Sequence, residues 1–302
     1  MGGKRYGGVV CAVVSAALFG LIPLFTTSLY AVGATGFQIV CGRMAVSAAL
    51  MVAYCRANGQ RLAYHGRTLG WLLGVGVLYA LSTLCFGLAL SDTSPGLMST
   101  LYFTYPLMVL LVASAVLRAR VGWYKAVAVF AALGGTVCIF LADASWYYTV
   151  AGVGLSLGSA LAFALYTVAL DRSAVEIVPG PVVFLYGCAI TVVLCLPFAL
   201  TAPWQPLGAP VPVLCILALA IVCTVAPYLL YIRATRLIGA QDASLFSYVQ
   251  LGVTVAVDCM VTGLMPAPLE LVGCALIVLG GLATLADQGS SASRRTSPGV
   301  RP

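Results

Sequence analysis

Long apolar stretches separated by short polar gaps organise this chain. Ten of them approach the roughly 20 residues that a helix needs to cross a bilayer core: 7–28, 37–55, 70–90, 96–117, 123–142, 149–170, 180–200, 211–232, 243–264 and 270–287. The gaps carry turn chemistry, as in Val32-Gly33-Ala34-Thr35-Gly36, Ser94-Pro95-Gly96, Pro179-Gly180-Pro181 and Pro266-Ala267-Pro268. The pattern predicts an all-α integral membrane protein with ten transmembrane helices. Lys4 and Arg5 ahead of the first run imitate the start of a signal peptide. That run is longer than a signal's apolar segment and nine more follow it, which favours an uncleaved helix.

Composition agrees. Of 302 residues, 62% are hydrophobic and 8% charged, whereas a soluble domain is near one quarter charged. The net charge of +7 is spread through the gaps instead of forming a basic face, so no nucleic-acid partner is expected. With a cytoplasmic N-terminus, Lys4, Arg5, Arg56, Arg61, Arg67, Arg118, Arg120, Lys125, Arg172, Arg233, Arg236, Arg294, Arg295 and Arg301 all fall on the inner side. The outer loops hold Asp92, Asp143 and Glu270 and no lysine or arginine. This segregation predicts a multi-pass plasma-membrane protein with both termini cytoplasmic. The eleven cysteines lie in or beside apolar runs and read as free thiols acting as small apolar side chains. His65 is the single histidine, so no histidine-based metal site is expected, and nothing points to a cofactor.

The two halves repeat each other at an offset of 144 to 145. Ser15-Ala16-Ala17-Leu18-Phe19-Gly20 corresponds to Ser159-Ala160-Leu161-Ala162-Phe163-Ala164, and Leu133-Gly134-Gly135 to Leu279-Gly280-Gly281. Five spans per copy is an odd number, so the second copy enters the membrane from the opposite side. The expectation is a 5+5 inverted-topology repeat, with residues 1–145 as the first copy, 146–287 as the second and 288–302 as a short disordered cytoplasmic tail.

The stretch from Ser94 to Pro106 (SPGLMSTLYFTYP) resembles the third-to-fourth-helix signature of the EamA-type transporters of the drug/metabolite transporter superfamily. Ile238 to Tyr248 (IGAQDASLFSY) is its second-half counterpart, Leu271 to Gly281 is similar to the family's last helix, and Arg43 matches a position where the family commonly has arginine. The resemblance covers residues 7–287 and implies export of small solutes. There are departures. Ala119 and Leu264 stand where the family usually has glutamate, and Gln250-Leu251 replaces a Glu-Pro pair whose first-half proline survives as Pro106. Neither span 1 nor span 6 has an acid, so the glutamate-based proton exchange of the superfamily's small multidrug pumps is not expected here.

Ionisable residues inside the spans are Arg43 and Asp258. Each is costly in hydrocarbon and needs a partner or water. Both lie about 10 Å below the outer boundary at 1.5 Å per residue, so depth allows a pair. Asp258 reads as a structural partner of Arg43, as a site for a substrate amine or proton, or as a solvated rim residue. Arg43 reads first as structural, reaching up to the interface.

Polar and aromatic residues form stripes at helical spacing. They are Ser244, Ser247, Gln250, Thr254 and Asp258 in span 9; Ser156, Ser159, Phe163, Tyr166 and Thr167 in span 6; Tyr79, Ser82, Thr83 and Phe86 in span 3; Ser99, Tyr102 and Tyr105 in span 4; and Thr224, Tyr228 and Tyr231 in span 8. Any one stripe can be interhelical hydrogen bonding. Together they predict a shared substrate cavity, with Tyr79, Ser82, Tyr102, Tyr105, Ser159, Phe163, Tyr166, Tyr228, Ser247, Gln250, Thr254 and Asp258 as candidate binding residues. Pro23, Pro106, Pro197 and Pro227 are candidate kinks, while Gly134-Gly135 and Gly280-Gly281 read as helix-packing positions in scaffold spans 5 and 10.

The function expected is secondary or facilitative transport of small amphipathic metabolites such as amino acids. Phosphorylated solutes would want more buried cations than Arg43 alone. A sensor or scaffold without flux is the alternative, and a membrane-embedded enzyme a weaker one, because no nucleophile, base or metal constellation occurs.

Overall fold

The computed structural model describes residues 2–93, 95–117, 123–142, 147–171, 178–201, 203–204, 208–262, 265, 267–276 and 279–280. The expected tail, Asp143 and the side chains of Ser99 and Asp258 lie outside the described residues.

The described chain is helical throughout, apart from one isolated bridge between Thr93 and Tyr148. The helices are α1 (Gly2–Phe19), α2 (Ile22–Ala31), α3 (Gly36–Ala57), α4 (Gly66–Asp92), α5 (Pro95–Tyr102), α6 (Tyr105–Leu117), α7 (Trp123–Ala142), α8 (Val150–Asp171), α9 (Gly180–Ala199), α10 (Pro210–Ala220), α11 (Ala226–Ile238), α12 (Ala240–Phe246) and α13 (Val249–Thr262), with a π-helical turn at Ile221–Val225 and a further helix at 268–276. Each of the ten apolar runs carries helix. Among the described residues, six segments are long and apolar enough to cross a membrane: Arg5–Ala31, Gly36–Ala57, Gly66–Ala89, Val150–Leu170, Gly180–Ala199 and Pro210–Ile238. Thr100–Val116 and Ala126–Ala142 are shorter apolar helices.

Several runs are broken rather than straight, and proline accounts for most of the breaks. Pro23 lies in the first turn of α2 after the interruption at Gly20–Leu21, Pro106 in the first turn of α6 after residues 103–104, and Pro227 in the first turn of α11 after the π-helical turn. A proline lacks the donor that would bond one turn back, but it suits a helix start. Pro197 lies near the end of α9 without interrupting it. The start of α3 is set locally. Thr35 and Gln38 form a reciprocal capping box, and Gln38 Nε2 also donates to the Pro203 carbonyl at 3.1 Å.

Small residues let the helices approach closely, as expected where lipid supplies no hydrophobic drive between them. A Cβ on Gly76 would come within 2.5 Å of Ile190 Cδ1, and one on Gly187 within 3.0 Å of the Tyr79 ring, which is how α4 and α9 pack. The same holds for the glycines of the last helices. Gly273 meets the Gly135 carbonyl and Gly280 the Ala128 carbonyl, which ties 268–276 and its continuation to α7. The outer surface is apolar, with Leu111, Phe130, Val193, Leu214, Met260 and Leu271 all exposed.

The bundle has two distinct ends. At one, Gln38 meets Pro203, Phe37 stacks on Phe198 and Thr149 N donates to the Asp92 carbonyl. At the other, Tyr186 donates to the Leu62 carbonyl, Arg236 to the Val178 carbonyl, and Gly8 packs on Ile238. Arg56, Arg61 and Arg67 lie exposed around this second, N-terminal end.

Candidate functional site

Seven parts of the chain converge on a cavity of about 170 Å³. Phe19 and Ile22 flank the break between α1 and α2. Arg43 comes from α3, Ser82, Thr83 and Phe86 from α4, Phe163 from α8, and Tyr228 and Tyr231 from α11. Tyr102, Phe103 and Tyr105 surround the break between α5 and α6, Ser247 lies in the break between α12 and α13, and Gln250, Leu251 and Thr254 follow it. Broken helices thus supply much of the wall. An interrupted helix frees carbonyls that must find other donors. The Gly20 carbonyl accepts from the Thr254 hydroxyl at 3.1 Å, and the Phe103 carbonyl from the Tyr248 hydroxyl at 2.9 Å.

Eight of the twelve candidate residues line the cavity: Ser82, Tyr102, Tyr105, Phe163, Tyr228, Ser247, Gln250 and Thr254. Tyr79, Ser159 and Tyr166 stand behind the wall. Tyr79 is buried, donates to Met44 Sδ at 3.7 Å and meets Tyr228 edge-on at 4.9 Å. Tyr166 is buried between Tyr79 and Phe163, with ring centroids 5.4 and 5.7 Å away. Ser159 donates to the Ser82 carbonyl at 2.8 Å, so it joins α8 to α4. These three therefore hold the lining residues in place. The Asp258 side chain is outside the described residues, and so is any pairing it makes.

The wall is aromatic with polar interruptions. Phe163 packs edge-on against Tyr105 at 4.9 Å, Phe86 against Tyr102 at 5.1 Å, and Phe19 against Tyr228 at 4.9 Å. Polar contacts join Tyr102 to Ser82 and Tyr105 to Ser247. Lining residues toward the Phe37–Phe198 end, such as Phe19, Ile22, Arg43 and Phe86, are partly exposed, whereas Phe103, Tyr105 and Tyr231 are buried. Toward the N-terminal end a layer of buried groups closes the space. Thr167 and Tyr231 share a hydroxyl hydrogen bond of 3.2 Å, Tyr248 bonds to Phe103, and farther out Arg5 approaches Asp242 at 4.0 Å.

Arg43, read first as a structural group reaching up to the interface, has its side chain on the cavity wall. Phe19, Ile22, Phe103 and Leu251 also line the cavity and were not among the candidate binding residues. Their positions follow from the helix breaks, and Pro23 and Pro106 were the available signal for the first three. Among the described residues no group of three or more His, Cys, Asp or Glu is placed to hold a metal ion.

The chain can now be set beside known proteins. A solved crystal structure of a protein superposes with a TM-score of 0.80, covering 97% of this chain and 100% of its own at 20% identity, which establishes the shared fold. A comparison with curated proteins gives no match. A profile of the EamA-like transporter family matches residues 6–141 and again residues 150–286. With two matches that together take in nearly all of its helices, the chain belongs to the EamA-like transporter family.

Proposed function

We propose that the chain is a secondary or facilitative transporter that carries small amphipathic metabolites, amino acids among them, through this cavity by alternating access. The observation that carries the reading is the cavity itself: both sequence halves line it, aromatic rings and hydroxyls share its wall, and one end is sealed. An aromatic wall with a few polar groups suits an amphipathic solute. A cavity of about 150 Å³ holds benzene, so 170 Å³ has room for a solute of about amino-acid size.

The membrane arrangement that goes with this function has ten crossings in a 5+5 inverted repeat, residues 1–145 and 146–287, followed by the tail 288–302. Both termini lie in the cytoplasm and the protein sits in the plasma membrane. The arginines exposed around the N-terminal end, with Asp92 and Glu270 toward the other, support that orientation. The sealed end is then cytoplasmic and the conformation is open outward. Export is the direction the family resemblance favours.

Proteoliposomes loaded with a pooled metabolite set and read by mass spectrometry test the reading. Selective loss of one chemical class relative to empty vesicles is expected. Retention of the whole pool by folded protein would contradict transport and favour a sensor.

A further inference from the structure

The cavity wall holds one full positive charge and, among the described residues, nothing to neutralise it. Arg43 lines the cavity, its Nε is buried without a hydrogen-bond partner, and the ion pair found among the described residues, Arg5 with Asp242, is elsewhere. Tyr79, Tyr102 and Tyr228 lie within electrostatic reach of the guanidinium, but a neutral hydroxyl does not balance a charge. A cation held this way in a membrane-embedded space is costly, and among the described residues no carboxylate lines the cavity to offset it.

We propose that Arg43 is the anion anchor of the cavity: its guanidinium receives the carboxylate of a solute whose apolar body lies against Phe19, Phe86 and Tyr102. The proposal deepens the transport reading and rests on it. A planar guanidinium matches a carboxylate through two parallel hydrogen bonds, which makes the fit geometric as well as electrostatic. One arginine serves one anionic group. A second carboxylate or a phosphate would leave charge facing aromatic rings, so small monocarboxylates fit best. For an α-amino acid the ammonium has Gln250 and the tyrosine hydroxyls as acceptors, not a described carboxylate. The carboxylate should therefore matter more than the amine, and a cation without a carboxylate should be rejected. This narrows the small amphipathic metabolites that residue types alone allowed.

The test compares wild type, Arg43→Gln and Arg43→Lys in proteoliposomes holding one pool of monocarboxylates, amines and neutral solutes. The expected result is carboxylate flux in wild type, reduced on the order of ten- to a hundredfold by Arg43→Gln and partly kept by Arg43→Lys. Arg43→Gln should keep the wild-type melting temperature, and Arg43→Lys controls for any loss of folding. Flux confined to solutes without a carboxylate, or carboxylate flux unchanged in Arg43→Gln, overturns the anchor while leaving transport intact. If wild type moves nothing, transport is the reading that fails, and thermal stabilisation by 4-methylpentanoate then decides the anchor. Stabilisation of wild type but not of Arg43→Gln supports it, and none in either overturns it.

Discussion

The helix at residues 66–92 and the segment at 210–238 occupy equivalent places in the two halves, yet one is straight and the other is not. α4 runs unbroken for 27 residues, while its counterpart passes through a π-helical turn at Ile221–Val225. The difference comes down to one residue pair. Thr83 of α4 corresponds to Pro227, 144 residues on. Thr83 keeps its backbone donor and its hydroxyl bonds to the Tyr79 carbonyl at 3.0 Å. Pro227 has no donor and its ring crowds the carbonyl four residues back, so the helix widens ahead of it. The Ala226 N–H then bonds five residues back, to the Ile221 carbonyl, and the Thr224 hydroxyl donates to the Leu219 carbonyl at 2.7 Å. Both segments line the cavity, one as a rigid wall and the other as a wall with a built-in bend.

The largest effect should come from importing the bend into the straight half. Thr83→Pro is expected to destabilise the fold by about 3 kcal/mol or more, and thermal unfolding in detergent reads this directly. An unchanged melting temperature would mean that α4 tolerates the same bend and that the asymmetry has another origin.

A second asymmetry lies at Gly20, whose counterpart Ala164 already carries a Cβ. On Gly20 a Cβ would come within 2.8 Å of both the Gln250 carbonyl and Val253. Gly20→Ala should therefore cost roughly 1–3 kcal/mol and loosen the Thr254 bond at the break. The matched change Ala164→Gly should leave packing at the α1–α13 contact unaffected, and comparing the two melting curves sharpens the contrast.

Where the halves agree, matched substitutions should have matched effects. Ser15 donates to the Pro227 carbonyl at 2.7 Å, and Ser159 to the Ser82 carbonyl at 2.8 Å, so each serine ties the first helix of one half to the third helix of the other. Ser15→Ala and Ser159→Ala should each cost about 1 kcal/mol. A difference well beyond that between the two would show that the halves carry unequal loads. The smallest effect is expected for Arg5→Ala at the sealed end. The pair is long at 4.0 Å and Arg5 is 41% exposed, so stability should change by about 0–1 kcal/mol. Its signature is faster labelling of the cavity from the N-terminal side.

Much of this was legible beforehand. Apolar runs located the helical segments, prolines marked three of the breaks, and the stripe spacing brought eight residues to one cavity. The break at Ser247–Tyr248 was not legible, because Leu251 stands where Pro106 stands in the first half. It forms without proline, through tightened turns from Ser247 N to the Ser244 carbonyl and Gln250 N to the Ser247 carbonyl, and Tyr248 anchors it to Phe103 across the molecule. That is a tertiary effect with no local signal. Tyr79 and Tyr166 were misplaced for a similar reason: periodicity tells which side chains share a face, not which of them a neighbouring helix covers. Arg43 was judged by its depth, and depth says nothing about the cavity wall.

The central claim is that solute passes through this cavity. Gln250→Trp tests it most directly, since Gln250 is partly exposed on the cavity wall and a tryptophan there fills the space. The expected result is loss of flux at an unchanged melting temperature. Wild-type flux through the filled cavity would contradict the account.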